Sequence, residues 1–167
     1  TLRHLVVSAS LGGFIFPIDG LEGSPDLKHL DTLTLAIEAP PQNLQKILSK
    51  LPSIRKLTIT SVGNHGGILV LNYLSRLESL KIRRFDRYEF EFPLNLKKLT
   101  LSRNRQPWSE ISTIGKLPNL EVLKLLYRSF DGEEWETKDG EFPNLRVLKL
   151  SGLHLQLDCI FCYFSPS

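Results

Sequence analysis

Leu117-Pro118-Asn119-Leu120-Glu121-Val122-Leu123-Lys124-Leu125 returns 25 residues later as Phe142-Pro143-Asn144-Leu145-Arg146-Val147-Leu148-Lys149-Leu150. Relaxed to apolar-x-x-Leu-x-apolar, the same pattern appears five more times. The further copies are Leu2/Leu5/Val7, Leu30/Leu33/Leu35, Ile54/Leu57/Ile59, Leu77/Leu80/Ile82 and Leu96/Leu99/Leu101. The seven copies begin at 2, 30, 54, 77, 96, 120 and 145, in steps of 28, 24, 23, 19, 24 and 25 residues.

Apolar residues at alternate positions mark a strand with one buried face. A strand returning every ~20–29 residues is the signature of a leucine-rich repeat. The expected fold is thus an α/β repeat, a leucine-rich-repeat solenoid or horseshoe. Its parallel concave sheet should hold about seven short strands, with an irregular or short-helical convex side. The strands are expected near 2–8, 30–36, 54–60, 77–83, 96–102, 120–126 and 145–151, within a repeat domain spanning 1–155. One such repeat cannot bury its apolar face alone, and at least three must stack. The 19-residue step after Leu77 predicts one clipped convex segment.

The spacers have their own signals. Residues 9–26 are rich in Gly and Pro and read as a loop. Leu44, Ile47, Leu48 and Leu51 have helical spacing before Pro52, which predicts a short helix over 42–50. Apolar positions 68, 69, 71, 74 and 77 suggest another short helix or turn, and 83–89 a charged convex segment. Ser109–Ile114 reads as a short helix beside Trp108. Asn104 follows Leu101 by three residues, where a repeat Asn satisfies loop backbone groups with its side chain. Residues 131–141 hold six acids and one Lys, a solvated loop that Trp135 can pin to the repeats.

Composition narrows the class. The chain is 41% apolar and 23% charged, with a net charge of +3, in the globular range. It holds no apolar run of about 18 residues, so no transmembrane helix is expected. It contains no Met, starts inside a repeat and lacks capping segments, which reads as a fragment of a longer protein. Cys159 and Cys162 are the only cysteines and make no disulfide framework, pointing to a reducing, cytoplasmic setting. They have neither the second pair a zinc site needs nor a redox context, so packing is their expected role. His4, His29, His65 and His154 lack metal-ligand spacing, and Gly63-Asn64-His65-Gly66-Gly67 lacks the Lys-Ser/Thr ending of a phosphate loop. No catalytic, metal or cofactor site is expected. Residues 156–167 leave the repeat pattern as an apolar tail, which fits a truncated or mis-spliced product covering the last repeat's edge.

Alternation also sets the solvent face. Its first column reads Thr32, Lys56, Ser79, Lys98, Val122, Val147, and its second Thr34, Thr58, Lys81, Thr100, Lys124, Lys149. The third is Ala36, Thr60, Arg83, Ser102, Leu126, Ser151. Six of these eighteen positions are Lys or Arg and none is acidic. Lys56, Thr58, Lys81, Arg83, Lys98, Thr100, Lys124, Leu126 and Lys149 are the candidate partner-binding residues, on a surface suited to an acidic protein. Lys and Thr are equally the ordinary residues of a hydrated sheet face, and that reading stays open. Nucleic acid is disfavoured, because the columns lack interleaved aromatics.

The two Pro-Asn-Leu copies at 117–125 and 142–150, with Gly132-Glu133-Glu134-Trp135 between them, carry a narrower likeness. They resemble the C-terminal repeats of plant coiled-coil, nucleotide-binding, leucine-rich-repeat disease resistance proteins, and among these the late blight resistance group of solanaceous plants. The resemblance covers residues 1 to about 155. It implies a recognition module for a pathogen effector or a guarded host protein, which also restrains its own nucleotide-binding module. That module binds ADP or ATP, but none of its motifs occurs in this chain. The alternative is the substrate-recognition part of an F-box ubiquitin ligase.

Overall fold

The computed structural model describes residues 2–8, 25–37, 41–63, 66–132 and 134–154. Among these, eleven strands follow the chain: β1 His4–Ser8, β2 Thr32–Ile37, β3 Lys56–Ser61, β4 Gly67–Val70, β5 Ser79–Arg83, β6 Tyr88–Glu91, β7 Lys98–Ser102, β8 Gln106–Pro107, β9 Val122–Leu126, β10 Phe130–Asp131 and β11 Val147–Ser151. Seven of them form one sheet in the order β1-β2-β3-β5-β7-β9-β11. Every pairing in it is parallel. Each of the seven begins two residues after the first apolar residue of a motif copy.

The register follows the repeat without a slip. Leu5, Leu33, Leu57, Leu80, Leu99, Leu123 and Leu148 pair in one row across all seven strands. A shift by one residue would turn every such leucine to water, so burial fixes the alignment. Between β2 and β9 the motif positions are at most 3% exposed, among them Leu30, Ile54, Leu77, Leu96 and Leu120. Each such side chain contributes about 1.5–3 kcal/mol of burial. At the edge strand β11, Leu145, Leu148 and Leu150 are half-buried and pack on the same core.

The described spacer residues cover the other side of the core. The helix Pro41–Ser49 buries Leu44, Ile47 and Leu48. The Tyr73 hydroxyl donates to the Gln45 carbonyl of this helix at 3.4 Å. A 3-10 turn Trp108–Glu110 leads into the short helix Ile111–Gly115, which buries Ile111 and Ile114. The helix or turn expected over 68–77 is instead strand β4 followed by a turn, with Ile68 exposed and Leu69 buried. Parallel pairing of β4 with β6 takes up its backbone groups, and four residues are too few for helical periodicity to compete. The charged 83–89 segment correspondingly ends by entering β6. Of the stretch 9–26 only the end is described, where Pro25–His29 makes a 3-10 turn. The tail 156–167, with Cys159 and Cys162, lies outside the described residues, as does His65.

Aromatic rings join the acidic 131–141 segment to the core. Trp108 stacks on Phe130 at 4.6 Å and on Trp135 at 5.3 Å, and Trp135 meets Phe142 edge-on at 6.0 Å. The Trp108 Nε1–H donates to the Gly132 carbonyl at 3.1 Å. Trp135 is 3% exposed, so the loop is pinned by the ring that its sequence suggested.

The role expected of Asn104 needs correction. Its side chain is fully buried, yet among the described residues neither amide atom meets a hydrogen-bond partner. The neighbouring backbone groups are already paired between repeats: the Arg87 N–H donates to the Asn104 carbonyl and the Gln106 N–H to the Ser129 carbonyl. Side-chain bridging occurs instead before the strands. Asn119 donates to the Leu94 carbonyl at 3.0 Å, Asn144 to the Pro118 carbonyl at 2.7 Å, and Asn95 to the Ser75 carbonyl. Ser53 reaches the Lys28 carbonyl in the same way. In both Pro-Asn-Leu copies the Asn thus ties its repeat to the one before it.

Candidate functional site

The sheet face opposite the core carries the three expected columns in register. Thr32, Lys56, Ser79, Lys98, Val122 and Val147 pair in succession, as do Thr34, Thr58, Lys81, Thr100, Lys124 and Lys149. Ala36, Thr60, Arg83, Ser102, Leu126 and Ser151 form the third. Lys56, Lys81, Arg83, Lys98 and Lys149 are exposed, while Thr58, Thr100, Lys124 and Leu126 are half-buried. Among the described residues, none of the six basic side chains has an ion-pair partner. Ser79 separates Lys56 from Lys98 and Thr100 separates Lys81 from Lys124, which limits repulsion across the strands. Lys124 and Lys149 are direct neighbours.

Acids nonetheless lie close to this face. One residue before the first column stands a further row: Arg3, Asp31, Arg55, Glu78, Lys97, Glu121 and Arg146. Each backbone N–H from Asp31 onward donates to the carbonyl of the row member before it. Charge alternates in sign along the whole row. Arg55 reaches Glu78 at 3.0 Å and Lys97 lies 3.8 Å from the same carboxylate oxygen. The hydrogen bond from Arg55, with the charges of Arg55 and Lys97, holds the Glu78 carboxyl below its usual range. An open depression here is lined by Asp31, Arg55, Glu78 and Lys97 together with Lys56, Ser79 and Lys98. The first column accordingly borders a ladder of alternating sign, whereas the second and third columns are set back from these acids.

It rises further at the opposite rim, where the strands end. Arg84, Arg87, Arg103, Arg105 and Arg128 all have left-handed backbone, with φ between 50° and 59°, as has Tyr127 at 47°. For a residue with a Cβ this costs about 1–2 kcal/mol. The gain is a set of bonds between repeats. The N–H groups of Arg84, Arg87, Arg103, Arg105, Tyr127 and Arg128 donate to carbonyls of the next repeat at 2.7–3.1 Å. The position equivalent to Arg84, Arg103 and Tyr127 after β11 is Gly152, with φ 66°. Asp131 accepts from Arg105 Nε at 3.1 Å and lies 3.7 Å from Arg128, while Asp86 lies 3.9 Å from Arg105.

Sequence reading missed both rims. The ladder was legible by moving the columns back one residue. The rim could not be read, since arginine is not a residue that announces left-handed backbone.

No protein-family model matches the chain. A late blight resistance protein homologue of Solanum demissum is 37% identical over 143 residues, 81% of this chain and 12% of its own length. A second homologue from the same plant, R1B-16, is 38% identical over the same share of this chain. Late blight resistance protein R1-A of Solanum demissum is 36% identical over 165 residues, 92% of this chain and 12% of its own length. The chain thus spans about one eighth of the length of the curated relatives it matches. Their names point to disease resistance and give no support to the F-box alternative. No described helix is long and apolar enough to cross a membrane. By sequence, the chain is a relative of the plant late blight resistance proteins, aligned with a short part of each.

Proposed function

We propose that this chain is the protein-recognition segment of a cytoplasmic plant immune receptor, folded as a leucine-rich-repeat solenoid. Seven parallel strands taken in chain order, one per repeat, support the solenoid. In a horseshoe of this kind the open sheet face is the concave wall. The reading is non-enzymatic and takes no cofactor in this chain. Its partner is a pathogen effector, a guarded host protein or the receptor's own nucleotide-binding module.

One observation carries the proposal. The open face sets Lys81, Arg83, Lys124 and Lys149 in register without an ion pair among the described residues. A merely hydrated face has no need to exclude acids from all eighteen positions. Positive charge of one sign favours an acidic partner and speeds encounter.

The test uses the receptor that contains this segment, expressed in leaf tissue and challenged with the pathogen. Lys81→Glu with Lys124→Glu should alter the defence response at unchanged protein level, either abolishing it or switching it on without challenge. A response identical to wild type in timing and strength would sink the proposal.

A further inference from the structure

We propose that the arginine rim at the strand ends, rather than the lysine columns, is the principal anchor for the partner, and that it takes an acidic protein segment laid across the repeats of β5, β7 and β9. The inference rests on the recognition reading and deepens it by naming the site and the partner's chemistry.

Conformation and residue type must be explained separately at this rim. The left-handed backbone is structural, because it aims each N–H at the next repeat. Residue type is not accounted for that way. Glycine adopts this conformation at no steric cost, and the following repeat uses Gly152 there. Five arginines nonetheless occupy the strained positions, and strained residues held by their surroundings concentrate at ligand-binding sites.

The charge is also left open. Asp86 and Asp131 engage Arg105 and Arg128. Arg83, Arg84, Arg87 and Arg103 are exposed and have no ion pair among the described residues. Backbone bonds between repeats put Arg84 beside the β7 end and Arg103 beside Tyr127, so the free guanidinium groups span adjacent repeats. Backbone amides are already engaged, which leaves recognition to side chains. The rim already holds carboxylates in place, Asp131 among them at 3.1 Å, and guanidinium forks match carboxylate geometry. Tyr127, 57% exposed, adds the aromatic that protein interfaces favour beside arginine. A nucleic-acid groove would need a series of stacking rings, and this rim offers one.

The test measures binding of a poly-glutamate peptide to the full chain by fluorescence anisotropy at low and moderate salt. Arg84→Glu with Arg103→Glu should weaken binding at least about tenfold and flatten the salt dependence. Lys81→Glu with Lys124→Glu should weaken it less. Arg84→Gly with Arg103→Gly, which suits the backbone, gives a second variant with the same expected loss. Equal loss from the lysine pair and none from either arginine pair would overturn the rim while leaving the recognition face standing. No binding of the peptide by wild type, or stronger binding of an oligothymidylate of equal charge, would overturn the acidic-protein assignment.

Discussion

The two rims of the sheet close the same seven strands in opposite ways. At the strand starts, cations and anions alternate from repeat to repeat, and Asn95, Asn119 and Asn144 bridge the backbone with side-chain amides. At the strand ends, bridging is done by backbone N–H groups in left-handed conformation, and the side chains are nearly all arginine. The first rim sets each charge beside one of opposite sign, with Glu78 bonded to Arg55 and close to Lys97. The second is complete in its backbone and incomplete in its charge. Alternating charge and left-handed backbone are thereby set at opposite ends of a strand only five or six residues long.

The largest expected effect concerns what lies behind the strand ends. Trp108→Ala removes the ring between Phe130 and Trp135 and the bond to Gly132. It should cost about 3–5 kcal/mol in chemical denaturation. Hydrogen exchange should rise over 130–142 and stay near wild type around Asn95 and Glu78, where the other rim is independent. Next is Arg103→Gly. Relief of left-handed strain less the added chain entropy should stabilise the fold by about 0.5–1 kcal/mol. A thermal midpoint below wild type would show that the arginine itself holds the rim together, and the contrast would fail. The smallest effect is expected from Glu78→Gln at the rim of alternating charge. The folded Glu78 carboxyl titrates below its ordinary value of 4.5, so its contribution is present above that pH and is lost as pH falls through the folded value. Because Arg55 and Glu78 are solvent-exposed, the loss at neutral pH should be slight and should vanish in high salt.

Much of this fold was legible because one period does two jobs. The alternation that buries Leu99 and Leu101 also turns Lys98 and Thr100 outward, so the columns followed once the copies were aligned, although Ser102 at the strand end is buried. Trp135 was legible as an anchor because a large ring in an acidic run has few other uses. Three features were not. Strand β4 hid behind apolar spacing that also suits a helix, and only its partner β6 decides between them. Asn104 matched a pattern whose hydrogen bonds the backbone had already made. The rim arginines lie at positions where local preference favours glycine or asparagine, so composition gave no warning of their conformation.

Spacer lengths between the motif copies range from 19 to 28 residues per step, yet no pairing in the main sheet shifts by a single position. Among the described residues, the differences in spacer length fall behind the leucines, on the side away from the open sheet face. A lineage can lengthen or trim the back of such a protein freely while its front keeps the same grid of side chains, and can redraw that grid one residue at a time without renegotiating the scaffold.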